Sequence, residues 1–328
     1  MELLKKLTNV IAPSGNEKPV RDIIIDEVKQ YADAITVDTL GNLIVRKKGN
    51  GKKIMLSSHM DEVGIIATVI DDKGFIRFSN IGAVNKKALQ YSKVKFANDI
   101  VGIVVDEPIE STDKSTNFNK MYVDTICDCK VNSLNTISIG DIATFAPNFD
   151  ISGDLISSKA LDNRAGCYVL IETLKAISKT ENDLYFVFTV QEELGLRGAK
   201  TSTFTLQPDY AIVVDTTPCD DVPSGGKSSL KLGNGPAIKI KDGSIMCHPF
   251  IKNLLLNKAE SLKIKPQYEV LDKGNTDAGA IHTTGVGVIT GAISIPLRYN
   301  HTACEMASKT DIENSIKILT KVCEDLLV

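Results

Sequence analysis

Apolar and polar positions near the amino terminus follow helical spacing first and strand spacing afterwards. Residues 2–11 and 17–32 repeat apolar side chains every three to four positions, which predicts two amphipathic helices joined by the loop APSGN. Residues 35–49 alternate around Leu-Gly-Asn and predict a β-hairpin. The stretch 52–64, KKIMLSSHMDEVG, predicts a buried strand that runs into polar residues.

The pattern changes twice along the rest of the chain. From about 67 to 155 it consists of short strands with frequent turns, which predicts a small all-β module. Helical spacing returns at 163–178, and strands and helices then alternate to the end, which predicts an α/β fold with helices on both faces of one sheet. We therefore expect an α/β domain built from 1–66 and 156–328, with the all-β domain 67–155 inserted into it.

Two adjacent acids, Glu192 and Glu193, follow the apolar run 184–190 in the sequence FTVQEELG. Aromatic and β-branched residues make that run a predicted central strand, and the Leu-Gly after the acids is a turn signal. Adjacent acids after a strand are most often part of a solvated loop. Neighbouring side chains of an extended chain point in opposite directions, however, so one acid can hold a metal while the other handles protons.

Five further candidate residues lie near the ends of predicted strands and helices. His59 and Asp61 in SSHMDEVG face the same way on an extended backbone, so the carboxylate can accept a hydrogen bond from the second imidazole nitrogen. Asp162 precedes a helix, where a simple N-cap is the alternative. Asp215 ends the strand YAIVVD, and His301 follows another apolar strand. Their recurrence at successive ends of one sheet indicates a shared site.

These residues supply what a dinuclear metal centre needs. Such a centre requires a bridging carboxylate, a histidine and a terminal carboxylate for each metal, and a nearby general base. Imidazole and carboxylate ligands favour zinc, cobalt or manganese. The candidate ligands are His59, Asp162, Glu193, Asp215 and His301, and Glu192 remains as the base.

Composition and charge narrow the class of function. The chain has 328 residues, 43% of them hydrophobic and 24% charged, which is ordinary for a globular protein and long enough for two domains. The net charge of −3 provides no basic footprint, so we expect neither nucleic acid nor membrane as a partner. The amino terminus lacks the apolar core of a signal peptide, and the longest apolar stretch is shorter than the ~20 residues of a membrane span.

The seven cysteines are scattered and odd in number, without zinc-finger spacing. Cys127 and Cys129 form the only close pair, for which a chance placement at a strand edge is the favoured explanation. We expect free thiols and a cytoplasmic location.

Six motifs in a fixed order resemble one known family, family 42 of the metallopeptidases. That family contains the glutamyl-aminopeptidase-like and tetrahedral aminopeptidases, and some members carry a historical endoglucanase label. The resemblance covers nearly the whole chain and is specific as a set rather than motif by motif. The motifs are HMDEVG, ALDNRAG, VQEELGLRGA, VVDTTP, GNTDAGAIH and RYNHT.

The resemblance implies a metal role for each candidate ligand. His59 and Asp215 would hold one divalent metal ion, and Glu193 and His301 the other. Asp162, the first acid of the DNR segment, would bridge the two. Zinc or cobalt is the expected metal, with manganese as a further option, and two ions are expected per subunit.

The resemblance also implies an activity, a mechanism and an assembly. Glu192 would be the general base that deprotonates a metal-bridging water, and Asp61 would orient His59. The expected reaction is hydrolysis of the N-terminal residue of short peptides. The β domain would form dimers that assemble further, as far as a dodecamer, so the chain is expected to be a homo-oligomer.

Two other functions remain open at this point. A dinuclear deacylase or amidohydrolase, acting on an N-acyl or carboxypeptidase-type substrate, would use the same ligands and differ only in its substrate. A non-catalytic assembly protein would be expected to lack a ligand or the base, and all are present. Glycoside hydrolysis would leave the histidines unexplained.

Several residues receive no firm role from the sequence. His248 and His282 are expected at the surface or in the core rather than in the site. Thr276 and Asp277, in GNTDAG, predict a tight turn near the site. Arg298 could bind a substrate carboxylate or pair with a local acid.

Overall fold

The computed structural model of the chain describes residues 1–107, 118–126, 136–223, 229–325 and 327. The pair Cys127 and Cys129 lies outside these residues. The cysteines that the structure describes are free thiols. Within the described residues no helix is long and apolar enough to cross a membrane.

The strands follow the predicted order, with short additional ones between them. They are β1 (Ala34–Val37), β2 (Leu43–Lys47), β3 (Lys53–His59), β4 (Gly64–Ile70), β5 (Ile76–Ile81), β6 (Lys93–Phe96), β7 (Val101–Asp106), β8 (Met121–Thr125), β9 (Ile142–Phe145), β10 (Phe149–Ser152), β11 (Leu155–Ser158), β12 (Asp183–Thr189), β13 (Tyr210–Pro218), β14 (Ala237–Lys241), β15 (Gln267–Val270), β16 (Ile289–Arg298) and β17 (Glu305–Ser308).

Two helices precede the strands, one short helix lies between β5 and β6, and the others lie between or after the strands in the second half of the chain. They are α1 (Glu2–Asn9), α2 (Lys18–Val28), α3 (Lys86–Leu89), α4 (Leu161–Ala176), α5 (Arg197–Leu206), α6 (Pro249–Ser261), α7 (Asp277–Ile281) and α8 (Lys309–Glu324).

One large sheet has the order β1-β2-β12-β3-β13-β16-β17-β11-β10, with β14 pairing with β16 and β15. Its central strands β12, β3, β13 and β16 are mutually parallel. Their carboxyl ends therefore lie at one edge, where His59 at the end of β3 is opposite Thr189 at the end of β12. Ligand sites of such sheets form at this edge.

The two faces of the large sheet bury alternate side chains of its strands. Phe186 and Phe188 of β12 pack into a core with α1, α2, α4, α6 and α8. Tyr185 and Val187 point to the opposite face, where Ala199 of α5 packs with part of α7. This period of two confirms the predicted α/β sheet with helices on both faces.

The predicted all-β module is a closed barrel with the order β4-β5-β8-β7-β6-β9. Its own core contains Phe78, Phe96 and Phe145. The barrel strands begin at Gly64 and end at Phe145, whereas β10 and β11 pair within the large sheet. The domain boundaries at 67 and 155 stay a prediction.

Three helices were not expected from the sequence: the four-residue α3 inside the predicted all-β module, α5 and α7. α5 follows the acid pair and contains a glycine and four hydroxyl residues, RGAKTSTFTL, which are weak helix formers. Packing decides the outcome, since Gly198, Ala199 and Ser202 are buried against the sheet. The short helix α7 lies in the glycine-rich stretch and starts where the Thr276 side chain accepts a hydrogen bond from Ala278 N.

Candidate metal centre

The carboxyl edge of the central strands brings the predicted ligands together. His59 ends β3, and Asp215 lies in the second half of β13. Glu193 follows β12, His301 follows β16, and Asp162 stands at the start of α4. They line one cavity of about 470 Å³, together with Glu192.

Among the described residues, the ligand atoms form two groups that share one aspartate. His59 Nε2 lies 3.4 Å from Asp162 Oδ1 and 3.6 Å from Asp215 Oδ1. His301 Nε2 lies 3.3 Å from Asp162 Oδ2 and 3.1 Å from Glu193 Oε1. The two oxygens of Asp162 thus face different histidines, which is the arrangement that a bridging ligand requires.

Hydrogen bonds fix which nitrogen of each imidazole faces the carboxylates. His59 Nδ1 donates to the carbonyl oxygen of Asp61 at 3.1 Å, and His301 Nδ1 donates to the carbonyl oxygen of Ala83 at 2.9 Å. A carbonyl can only accept, so Nδ1 carries the proton in both rings. The neutral form of each ring therefore presents the lone pair of Nε2 to the cluster, as in metal-binding histidines.

Asp61 holds the end of β3 against the acid pair. Its carboxylate accepts hydrogen bonds from Ser14 Oγ at 2.6 Å and from the backbone N–H groups of Glu192 and Glu193 at 3.1 Å each. Burial disfavours its charge, but His59, Ser14 and the backbone donors together keep the pKa of Asp61 below its usual value. The charged carboxylate therefore orients the two acids. The hydrogen bond of His59 goes to the Asp61 carbonyl oxygen rather than to the carboxylate that the sequence predicted, whose Oδ1 lies 3.5 Å from His59 Nδ1.

The cluster carries more negative charge than its histidines balance. Burial raises the pKa values of Glu193 and Asp215, against the opposing effect of His301 and His59 respectively. Burial also opposes ionisation of Asp162, but hydrogen bonds from both histidines hold the pKa of that carboxyl well below its usual range.

The same excess of negative charge raises the pKa values of the two histidines. Burial lowers the pKa of an imidazole, yet Asp162 and Glu193 outweigh it and raise the pKa of His301 to about 12. The surrounding carboxylates also raise the pKa of His59 well above 6.5, despite its burial. Imidazole and carboxylate donors in an acidic buried cluster fit divalent cations, which compensate charge that would otherwise be costly to bury.

Glu192 lies in the same cavity but outside both groups of ligand atoms. Burial raises its pKa well above the usual value, and Glu193 and Asp215 add to this effect while His59 opposes it. A carboxyl whose pKa is moved towards neutrality can both accept and return a proton.

Sequence reasoning missed Glu305, which supports two of the predicted ligands. Its carboxylate accepts hydrogen bonds from Asp162 N at 3.0 Å and from His301 N at 2.7 Å. It is buried, and burial together with the charge of Asp162 raises its pKa to about 8. A possible signal was its position four residues after His301, at the start of β17.

His248, His282 and Arg298, whose roles the sequence left open, make local contacts in the structure. His248 caps α6 by accepting a hydrogen bond from Phe250 N, and His282 Nδ1 bonds to Ala278 O at the end of α7. Arg298 pairs with Asp221 through two hydrogen bonds of 2.7 and 2.6 Å.

Asp277 is buried and accepts a hydrogen bond from Thr189 Oγ1, at the end of β12. Burial raises its pKa to about 7. The GNTDAG turn thus reaches the carboxyl edge of the sheet, and its Gly274 and Asn275 line the metal cavity.

Comparison with known proteins gives a consistent family. Residues 41–318 match the M42 glutamyl aminopeptidase family. A putative aminopeptidase of Acetivibrio thermocellus is 48% identical over 98% of this chain and 97% of its own. An aminopeptidase of Desulfurococcus kamchatkensis has a solved structure with a TM-score of 0.94 and 36% identity, covering 98% of this chain and 94% of that one. The TET1 peptidase of Pyrococcus horikoshii, which can assemble into a tetrahedron or a large octahedral shell, has a TM-score of 0.89 and 32% identity over 99% of both chains.

Proposed function

The chain belongs to the M42 glutamyl aminopeptidase family and is a metal-dependent aminopeptidase, and from this premise we propose which of its residues carry the reaction. The active centre would be the cluster at the carboxyl edge of the sheet. One observation carries this assignment: the two oxygens of Asp162 face His59 and His301 separately, and each histidine has a further carboxylate beside it.

Two divalent ions per subunit fit this donor set. His59 and Asp215 would hold one ion, and Glu193 and His301 would hold the other. Asp162 would be a ligand of both ions. Zinc or cobalt is the preferred ion and manganese the alternative, since all three accept imidazole and carboxylate ligands. When bound, such ions polarise the scissile carbonyl and lower the pKa of water.

Glu192 is the proposed proton carrier. Its carboxylate lines the cavity beside Glu193 and takes no part in either ligand group, so it is available to accept a proton from water. The raised pKa allows Glu192 to keep that proton and return it to the leaving amine. Asp61 is a positioning residue, because its carboxylate accepts hydrogen bonds from the backbone of both glutamates and its carbonyl oxygen accepts one from His59 Nδ1.

We also propose a homo-oligomer in the cytoplasm. The TET1 relative forms large shells, and the barrel of this chain exposes apolar side chains that dimerisation could cover, namely Val69, Tyr91, Ile126 and Ile139. Light scattering coupled to gel filtration tests this, with a monomer as the contrary result. Free thiols at the described cysteines agree with a reducing compartment.

Release of N-terminal residues from a peptide panel tests the activity. Peptides with free and acetylated N-termini are incubated with zinc, cobalt or manganese, and then with a chelator. We expect release from free N-termini alone, lost with chelator and restored by metal. Cleavage of the acetylated peptides would instead identify a deacylase.

Metal content tests the site independently of activity. Elemental analysis of the wild-type chain should give two ions per subunit, and Asp162→Asn should give fewer, because both groups lose their shared ligand. Asp209→Asn is the matched control, since Asp209 is half-exposed at the opposite end of β13. Two ions retained in Asp162→Asn would contradict the bridging role.

A further inference from the structure

A second cavity, of about 520 Å³, adjoins the metal centre. The two cavities share four lining residues, Thr216, Pro218, Gly274 and Asn275. A residue bound with its reacting groups at the metal centre therefore has this space directly beside it. We call it the side pocket.

The floor of the side pocket contains three buried charged residues. Lys239, Asp242 and Glu269 are 2%, 3% and 0% exposed. Lys239 Nζ forms ion pairs with Asp242 Oδ2 at 3.1 Å and with Glu269 Oε1. One ammonium thus faces two carboxylates, and the floor keeps a formal charge of −1.

The rim of the pocket adds two acids and one lysine. These are Asp220, Asp272 and Lys273, which line the pocket nearer to solvent. Over the whole pocket, four carboxylates stand against two lysines, which leaves a formal net charge of −2. The field of these charges is screened less at the buried floor of the pocket than at an open surface.

The carboxylate of Glu269 also has hydroxyl neighbours. It is buried beside the hydroxyl groups of Thr217 and Ser294, and Thr217 belongs to the pocket lining. Pro218, Val270 and Leu271 add apolar surface to the lining. This lining suits a chain of methylene groups that ends in a hydrogen-bond donor.

We propose that the side pocket receives the side chain of the N-terminal substrate residue and selects long cationic side chains, lysine and arginine. This inference rests on the proposed aminopeptidase function and specifies its substrate class. The methylene groups pack on the apolar wall, and the cationic end reaches the carboxylates of Glu269 and Asp242. A glutamate side chain would bring a further negative charge into an already acidic pocket, so it is disfavoured.

The wild-type enzyme provides the first test. Aminoacyl p-nitroanilides of lysine, norleucine, glutamine and glutamate are compared by kcat/KM with metal present, because norleucine is lysine without its ammonium group. We expect lysine to exceed norleucine at least about tenfold and glutamine to exceed glutamate. The inference is wrong if kcat/KM for the lysine substrate is no higher than for norleucine, or if kcat/KM for glutamate exceeds that for glutamine. Either result would leave the proposed aminopeptidase activity intact. No turnover of any substrate with two ions bound contradicts the proposed function itself.

Variants of the pocket provide the second test. Glu269→Gln should lower the lysine-to-norleucine ratio of kcat/KM about tenfold, because norleucine has no ammonium group for this carboxylate to bind. The double variant Asp220→Asn and Asp272→Asn, at the more exposed rim, should lower the ratio by a smaller factor, and it remains informative if Glu269→Gln does not fold. Asp209→Asn is the control for loss of one acid elsewhere. An unchanged ratio in both pocket variants rules out charge selection by this pocket.

Binding gives a readout that does not depend on turnover. Calorimetric titration of the metal-loaded enzyme with free L-lysine and L-norleucine should show tighter binding of lysine, and Glu269→Gln should remove the difference. Equal affinities in the wild-type enzyme would overturn the proposal.

Discussion

Two clusters of buried charge lie side by side in this protein, and they differ in how the charge is balanced. In the metal centre, carboxylate oxygens and two imidazole nitrogens converge on a cavity. In the second cluster, which we call the Glu62 network, Glu62 pairs with Lys159 and Arg164. Both clusters draw on the stretches 59–62 and 159–164, and the metal centre adds Glu193, Asp215 and His301 from elsewhere in the chain.

The Glu62 network is closed. Both Glu62 oxygens accept hydrogen bonds from Lys159 Nζ, at 2.8 and 2.7 Å, and Arg164 is fully buried. The Arg164 guanidinium also donates to the carbonyl oxygens of Met60, Leu7 and Ala12. These bonds tie the amino-terminal segment to the loop after β3.

The difference separates a structural cluster from a functional one. In the Glu62 network each charge is directed at another charge or at a backbone carbonyl of the chain. In the metal centre the donors face a cavity, and the acids outnumber the histidines. Negative charge is costly to bury without a partner, so its persistence in a cavity indicates a bound cation rather than a role in folding.

The largest expected effect concerns proton transfer in the metal centre. Glu192→Gln should lower kcat by a factor of about 10²–10⁴, because general acid–base groups contribute on that order. The bound metal should remain, since Glu192 lies outside both ligand groups. Steady-state kinetics with elemental analysis measures both, and Glu172→Gln on α4 is the control. Near-normal turnover would remove Glu192 from its proposed role.

Breaking the closed cluster should instead affect stability. Glu62→Gln leaves two buried cations without their carboxylate, which costs on the order of 3–5 kcal/mol. Urea denaturation measures the loss, and Asp22→Asn, in the exposed pair with Lys18, should change stability little. A loss no larger than that of the control would show that the network is not a structural cluster.

Removing metal should destabilise the metal centre and leave the Glu62 network unaffected. A chelator should lower Tm of the wild-type enzyme, because a ligand at a hundredfold excess over its Kd stabilises the folded state by about 2.7 kcal/mol. Asp162→Asn should respond much less. Differential scanning calorimetry with and without chelator tests this, and equal shifts in the two proteins would count against the assigned site.

The smallest expected effect concerns Asp61. Asp61→Asn should weaken metal affinity by a factor of about 10–100, because it changes the support of His59 rather than a ligand. Competition with a fluorescent chelator measures the affinity. Asp183→Asn, at the opposite end of the sheet, is the control, and indistinguishable affinities would leave Asp61 without a positioning role.

The sequence predicted the parts of the site that depend on strand ends. His59, Glu193 and Asp215 could be grouped because parallel strands present their carboxyl ends at one edge. Contacts that depend on loop conformation could not be anticipated. Glu305 bonds to the backbone of Asp162 across 143 positions of the chain, and no periodicity encodes such a distance.

The same limit applies to the fold. The buried core strands were predicted because their apolar runs are continuous, as in 184–190. α5 was missed because its residues have low intrinsic helix propensity and its stability comes from contacts with the sheet. The side pocket likewise draws on β13, β14, β15 and the turn before α7, and only the folded chain shows that these segments meet.

The contact between Ala83 and His301 limits how the barrel can be exchanged between related enzymes. The loop after β5 belongs to the barrel, yet Ala83 O accepts the Nδ1 proton of His301, and Asn85 N donates to His301 O. Gly82 in the same loop adopts a positive φ of 71°, and an added Cβ would lie 3.0 Å from Glu193. A chimaera that replaces the barrel as a module would therefore also replace part of the candidate metal centre. To preserve turnover, the graft junction should leave residues 82–85 with the recipient.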